Sequence, residues 1–151
     1  MTIGPEMIAR LPRITRLDRV VIHHSATARD VTMESITRAH LARPGYIAIG
    51  YHVVILGDGT LAAGRPLPLE GAHAPPWNRT SIGLCITGDN TRAGHAWSAT
   101  QLGAARRWLA ALELVLGRPV SVYGHRDVGH PTACPGVDRA ALHALLERDL
   151  G

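Results

Sequence analysis

One short stretch of the chain, residues 124–136, concentrates side chains that can bind a metal. Its sequence is Gly-His-Arg-Asp-Val-Gly-His-Pro-Thr-Ala-Cys-Pro-Gly, which places His125 and Cys134 in a turn rich in glycine and proline. Such a turn lets the chain fold back, so both side chains can point at one ion. Imidazole and thiolate together favour zinc, and a catalytic zinc keeps three protein ligands and a water. The alternative is a buried cysteine beside a hydrogen-bonded histidine.

A third ligand has to come from another part of the chain. The β-branched run at 19–24, Arg-Val-Val-Ile-His-His, predicts a buried strand that ends in His23 and His24. Successive side chains of a strand face opposite sides, so we expect only one of the two to reach the site. A rival chemistry is a cysteine hydrolase with Cys134 as nucleophile and His125 as base, which leaves His23 without a role.

The elements that position these residues alternate along the chain. Strands are predicted at 19–24, 49–56, 81–87 and 119–123, and Asp58-Gly59 predicts a hairpin turn after the second. Helices are predicted from about 33 to 43, from a capping box at Ser98 to 116, and after Asp138. The pattern favours an α/β fold in which helices flank a central mixed sheet, with the metal site at one edge of the sheet.

Periodicity also predicts which side chains turn inward. In the first long helix these are Met33, Ile36 and Ala39, and in the second strand Tyr51 shares a face with Val53 and Ile55, opposite His52. The helix that starts at Ser98 turns an apolar stripe inward: Leu102, Ala105, Leu109, Leu112 and Leu116. Three histidines are predicted to lie on the surface or on helix faces: His40, His95 and His143.

Composition bounds the class of protein. The 151 residues suit a single domain, divided here into an N-terminal arm at 1–18 and a catalytic domain at 19–151. The net charge of +4 comes from arginines spread along the chain, which argues against a nucleic-acid partner and fits attraction to a polyanionic cell wall. We find no apolar run that could span a bilayer and no secretory signal, so we expect synthesis in the cytoplasm and no membrane insertion.

Four segments, in this order, give the chain a family resemblance over residues 20–140. They are Ile-His-His-Ser-Ala-Thr, Gly-Tyr-His-Val-Val-Ile with its Asp-Gly-Thr turn, Asn-Arg-Thr-Ser-Ile-Gly-Leu-Cys, and Gly-His-Arg-Asp-Val with Ala-Cys-Pro-Gly. The chain resembles the type-2 N-acetylmuramoyl-L-alanine amidases, which include phage lysozyme-type amidases and peptidoglycan recognition proteins. The resemblance implies one zinc ion per chain, held by His23, His125 and Cys134.

The resemblance also assigns further residues. It makes Tyr51 the catalytic tyrosine, and it places Thr132 where the lysozyme-type branch has a lysine, so a neutral hydrogen-bond donor replaces a charge. His24 and His52 are expected to support the site from behind its ligands. Substrate contacts are expected from the loop that follows the hairpin: His73, Trp77, Asn78 and Arg79.

The implied activity is hydrolysis of the amide between N-acetylmuramic acid and L-alanine of peptidoglycan, by a monomeric phage-type endolysin that acts on the cell wall after release. Peptidoglycan or muropeptides are then the partners. Some phage relatives also bind the phage RNA polymerase, for which composition carries no signal. One alternative is a recognition domain that binds without cutting, although such relatives commonly lack the cysteine found at Cys134. Another is a cytoplasmic muropeptide-recycling amidase, a class that tends to carry aspartate at that position.

Overall fold

The protein folds around a five-stranded mixed sheet. The computed structural model describes residues 5–149, and its strands are β1 (Arg19–His24), β2 (Val53–Ile55), β3 (Leu61–Ala63), β4 (Ser81–Ile86) and β5 (Ser121–Gly124). Their order across the sheet is β3-β2-β4-β1-β5, in which only the β2–β3 pair is antiparallel. The predicted α/β fold with a mixed sheet is therefore confirmed, as is the hairpin.

The described residues also form four α-helices. They are α1 (Pro5–Ala9), α2 (Met33–Leu41), α3 (Ala99–Leu116) and α4 (Arg139–Leu145), and two short 3-10 helices span Trp77–Thr80 and His125–Val128. The capping box that starts α3 is present, since Ser98 Oγ accepts from Gln101 N and Gln101 Oε1 accepts from Ser98 N. Gly117 ends α3 with φ +68°, a conformation that glycine adopts without strain. Among the helices of residues 5–149, none has the length and apolar character needed to cross a membrane.

The main core lies between one face of the sheet and helices α3 and α4. Alternate residues of β1, among them Val20 and Ile22, pack there against Leu102 and Leu109 of α3. Ala105 is also buried and Leu112 packs against this core, whereas Leu116 stays partly exposed. We call this side of the sheet the helix face and the opposite side the site face.

The expectations about the length of the second strand and about four residues are wrong. The second strand covers only Val53–Ile55, so the alternation does not extend back to Tyr51, which packs with Val54 rather than with Val53 and Ile55. In α2, Ala39 is exposed and His40 is buried, because His40 lies one turn after the buried Ile36. His143 is buried as well, and its Nε2 donates to Val122 O at 2.9 Å.

The arm that precedes β1 is attached to the rest of the fold. Ile14 N donates to Pro68 O at 2.8 Å and Asp18 N donates to Thr80 O at 3.0 Å. The side chains of Ile14 and Leu17 pack against the main core. Residues 1–4 of the predicted arm, and 150–151 of the predicted catalytic domain, lie outside the described residues, and the division at residue 18 stays a prediction.

Candidate metal centre

Three side chains from separate parts of the chain meet at the carboxyl ends of β1 and β5. The possible ligand atoms of His23, His125 and Cys134 all lie within 4.8 Å of one another. His23 stands near the end of β1 and His125 directly follows β5, and because these neighbouring strands are parallel, both histidines reach the same edge of the sheet. Cys134 comes from the following loop, where its main-chain N donates to Thr132 Oγ1 and its carbonyl accepts from Arg126 N.

The chemistry of this cluster fits zinc. Two imidazoles and one sulfur form a donor set typical of a zinc site that keeps one position open. His125 Nε2 is buried and finds no hydrogen-bond partner among residues 5–149, and a buried polar nitrogen without a partner is costly. His23 Nδ1 lies 3.7 Å from Cys134 Sγ. A metal ion held by these atoms would satisfy the unpaired nitrogen.

The neighbouring His24 takes no part in the cluster. Its Nδ1 accepts from Asn90 N at 3.3 Å and lies 3.7 Å from a carboxylate oxygen of Asp89, while its carbonyl faces Cys134 Sγ at 3.8 Å. His23 thus belongs to the cluster whereas His24 only lines the groove beside it, and that a single histidine of the pair binds the metal stays a prediction. His24 instead bonds to Asn90 through its ring, and its main-chain carbonyl contacts the sulfur of Cys134.

Burial sets the protonation of the metal-free cluster. It lowers the pKa of both His23 and His125, so their rings are neutral near pH 7 and keep a lone pair for a metal. Burial also raises the pKa of Cys134 to about 12, so without a metal the group is a thiol. A nucleophilic cysteine needs a low thiol pKa, which this environment does not supply. The cluster is therefore better suited to holding a cation than to thiol chemistry.

Tyr51 borders the cluster, and its ring centroid lies 5.0 Å from that of His23. Burial raises the pKa of its phenol well above the usual value, so the group keeps its proton and can donate a hydrogen bond. The main chain around Tyr51 is held on both sides: Arg65 N donates to Tyr51 O at 2.8 Å, and Gly50 N donates to His40 Nδ1 at 2.8 Å. Tyr51 is thus a neutral donor in a fixed position.

His40 is the residue of this site that the sequence analysis missed. It is buried, its ring centroid lies 4.9 Å from that of Tyr51, and burial lowers its pKa to about 4. The signal was available in the sequence, since His40 follows the inward Ile36 by four residues, one helical turn.

His73 and His52 form a buried pair beneath His23. His73 Nδ1 lies 3.0 Å from His23 Nε2, and the ring centroids of His73 and His52 are 5.8 Å apart. His52 is itself fixed, because its Nε2 donates to Leu69 O and its Nδ1 accepts from Gly83 N. His73, an expected substrate contact, lines the groove that holds the cluster, and its ring Nδ1 also lies against the candidate metal ligand His23.

The remaining predicted substrate contacts lie away from the cluster. Asn78 Oδ1 accepts from His73 N and Ala74 N at 3.0 and 2.9 Å. The indole of Trp77 packs between the Arg19 guanidinium and the Tyr123 ring, and Arg79 faces Glu70 at 3.3 Å. These contacts hold the loop that carries His73, and direct contact with substrate stays a prediction for all three.

The cluster opens into a groove with a volume of about 410 Å³. The metal-ligand candidates line it together with residues from several loops and from α2, among them Thr132, Tyr51, Tyr46, Arg43 and His40. A larger groove of about 930 Å³ between α1 and α2 contains none of the three candidate ligands. The smaller groove is therefore the candidate active site.

Comparison with known proteins gives consistent matches. A family model described as N-acetylmuramoyl-L-alanine amidase matches residues 13–137. The endolysin of Klebsiella phage KP32 is 34% identical over 125 residues, covering 80% of this chain and 81% of the endolysin. The endolysin amidase LysCS from Clostridium intestinale aligns with a TM-score of 0.81 at 26% identity, over 99% of this chain and 92% of LysCS. A variant of Drosophila PGRP-LB in complex with tracheal cytotoxin aligns with a TM-score of 0.74 at 29% identity, over 93% and 90%.

Proposed function

The chain belongs to the N-acetylmuramoyl-L-alanine amidase family, and on that premise we propose that it is a zinc-dependent enzyme that cleaves the amide between N-acetylmuramic acid and L-alanine of peptidoglycan. The observation that carries the proposal is the cluster of His23, His125 and Cys134 in the lining of a groove, with Tyr51 beside it. One zinc ion per chain would complete this cluster.

The side chains of the groove would have separate roles in amide hydrolysis. When bound, zinc would act as a Lewis acid that polarises the scissile carbonyl and makes water a stronger acid. Tyr51 donates a hydrogen bond to the carbonyl oxygen as negative charge grows on it. Thr132 Oγ1 accepts from Cys134 N, which leaves its hydroxyl proton free to donate to the same oxygen. Both groups are neutral, so neither brings a positive charge to the transition state.

The proposed biological role is that of an endolysin acting on the cell wall as a monomer after its release from the cytoplasm. The similarity to phage endolysins supports it. The similarity to recognition proteins supports peptidoglycan or muropeptides as the bound partner, since one of these structures is a PGRP-LB variant in complex with tracheal cytotoxin. The complete His/His/Cys cluster favours cleavage over binding alone, and Cys134 favours an endolysin over a recycling amidase.

The test combines metal content with product release. Elemental analysis of the purified protein should give about one zinc per chain, and purified peptidoglycan should release new L-alanine amino termini. Chelation should stop the release and added zinc should restore it. Cys134→Ser should lose zinc and activity together, whereas Tyr51→Phe should keep zinc and lose turnover. The matched control is Cys85→Ala, which removes the other thiol, a buried one, and should leave zinc bound.

The outcomes separate the candidate functions. Zinc with chelator-sensitive release supports the amidase. Zinc without any release favours the recognition domain. Release that survives chelation but not thiol alkylation supports the cysteine hydrolase, and a protein that binds no zinc overturns the proposal.

A further inference from the structure

A buried contact between two imidazoles lies at the candidate metal centre, and one of the two belongs to a candidate ligand. His23 Nε2 and His73 Nδ1 are 3.0 Å apart, and the two residues are only 1% and 6% exposed. Two ring nitrogens at this distance share one proton, since two N–H groups would repel each other and two lone pairs would form no bond. One of the two nitrogens is therefore a donor and the other an acceptor.

Ser81 decides which nitrogen is the donor. Ser81 Oγ lies 2.7 Å from the carbonyl oxygen of Trp77, and a carbonyl can only accept, so the serine proton is committed there. The same Oγ faces His73 Nε2 at 3.5 Å and can offer that nitrogen only a lone pair. His73 Nε2 then carries the proton of its ring, and His73 Nδ1 is left as an acceptor for His23 Nε2–H.

This order of protons sets the ligand atom of His23. With its proton on Nε2, the neutral ring of His23 has its lone pair on Nδ1, the nitrogen that lies 3.7 Å from Cys134 Sγ. We propose that His73 is a positioning residue that holds His23 in the Nε2–H tautomer and thereby presents Nδ1 to the metal. The inference rests on the proposed zinc function. It also gives His73 a role through His23, separate from the substrate contact expected from the sequence.

The surroundings of His73 are shaped for a flat ring. A Cβ added at Gly83 in β4 would lie 2.6 Å from His73 Cγ, and one added at Gly71 would lie 2.5 Å from His73 Cδ2. The imidazole therefore lies directly against the main chain of a central strand, at positions where only glycine leaves room. The main chain of His73 is fixed too, by the Asn78 amide that accepts from His73 N. Ring and main chain are thus held independently of any substrate.

The first experiment observes the tautomers themselves. Long-range ¹H–¹⁵N spectra of the metal-free protein, labelled at histidine, report which ring nitrogen carries the proton. We expect Nε2–H on both His23 and His73. A proton on Nδ1 of either ring overturns the proposal, and this readout depends neither on zinc nor on activity.

The second experiment measures zinc affinity by competition with a chromophoric chelator, together with the absorption spectrum of the cobalt-substituted protein. His73→Leu removes the acceptor and should weaken zinc binding by about 10- to 100-fold, the usual range for a partner behind a ligand. His73→Asn places an oxygen close to the position of Nδ1 and should recover most of the affinity and the wild-type cobalt spectrum. Gly83→Ala should displace the ring and weaken zinc binding without altering His73.

A glycine in α3 provides the matched control for Gly83→Ala. Gly103→Ala adds the same methyl group in α3, where it meets only arginine side-chain ends, and should leave zinc affinity unchanged. If wild-type protein binds zinc and His73→Leu binds it equally well, or if the Leu and Asn variants lose the same affinity, the inference fails while the proposed function stands. If wild-type protein binds no zinc, both fail. Should His73→Leu not fold, the tautomer spectra and the Gly83 variant still decide.

Discussion

The two faces of the central sheet are built on different principles although they share the same strands. On the helix face, Ile22 of β1 and Leu84 of β4 pack into a continuous apolar core with α3. On the site face, the next residue along β1 is His23, and Gly83 of β4 makes room for an imidazole. Apolar contacts are non-directional and tolerate exchange, whereas the polar contacts of the site face depend on particular atoms.

The two faces of the sheet also differ in how they contribute to the stability of the fold. The helix face gains its stability from apolar area removed from water. The site face buries several groups that water would otherwise solvate, among them His40, His52, His73 and Arg65, and each of them is compensated by a specific partner. We therefore expect changes on the helix face to alter stability without altering the site, and changes on the site face to alter both.

The largest effect is expected from a truncation in the helix-face core. Leu109 is 1% exposed, and Leu109→Ala should lower the free energy of unfolding by about 3 kcal/mol because it removes buried methyl groups and leaves a cavity. Urea denaturation of the metal-free protein measures the change. Leu114→Ala is the control in the same helix, since Leu114 is 84% exposed and should change stability by less than about 0.5 kcal/mol. A weaker zinc site in folded Leu109→Ala would break the contrast between the faces.

A somewhat smaller loss is expected from Arg65→Met on the site face. The buried Arg65 donates to Ile49 O at 3.1 Å and to Glu70 O at 2.7 Å, so the methionine variant leaves carbonyls without donors. The expected loss is about 2 kcal/mol, the scale of an unpaired buried polar group. Because Arg65 holds the segment that leads into Tyr51, turnover should fall as well while zinc stays bound.

Arg16→Met serves as the control for Arg65. The side chain of Arg16 is 77% exposed, and among the described residues it bonds to the nearby Asp18. Exposed ion pairs of this kind contribute little to the free energy of unfolding. It should change neither stability nor turnover measurably. If Arg65→Met loses stability at an unchanged turnover number, Arg65 supports the fold and does not position Tyr51.

Elements with local signals were the ones that the sequence predicted well. The bounds of α3 follow from Ser98, Gln101 and Gly117, all of which act within a few residues of the helix ends. The second strand was predicted too long. Main-chain bonds to neighbouring segments continue back to Tyr51, but before it Gly50 N donates to the His40 ring and Ile49 O accepts from the Arg65 side chain. The local sequence pattern of residues 49–52 does not predict contacts with these distant partners.

In the candidate site too, some features could be predicted from the sequence and others could not. Family resemblance was sufficient to name His23, His125 and Cys134, and the structure brings them together. The contact of His73 with His23 spans 50 positions of the chain, so no spacing rule could reveal it. Gly83 was the available hint, since a glycine inside a central strand often marks a close approach by another group.

A pH-dependent effect is expected from His40. Burial lowers its pKa from 6.5 to about 4, so the unfolded chain takes up the proton first as the pH falls. The neutral ring therefore contributes stability that is fully present above pH 6.5 and is lost as the pH falls from 6.5 to 4. Asn can accept from Gly50 N without titrating, so His40→Asn should show a shallower loss. Urea midpoints of the metal-free protein at pH 7, 6, 5 and 4 measure it, and parallel curves for both proteins would contradict the assignment.

The smallest effects are expected at the two helix caps, one on each face. Ser98→Ala removes the acceptor for Gln101 N at the start of α3 and should cost about 1 kcal/mol; Thr32→Ala removes the acceptor for Ser35 N at the start of α2 and should cost the same or less. The consequences for the site should differ, because α2 carries His40 against Tyr51 whereas α3 carries only core residues and exposed side chains. We therefore expect a reduced turnover number for Thr32→Ala and an unchanged one for Ser98→Ala, measured on variants that are fully folded and loaded with zinc. Equal turnover numbers would show that small shifts of α2 do not reach Tyr51, and that the site face is more tolerant than its hydrogen bonds indicate.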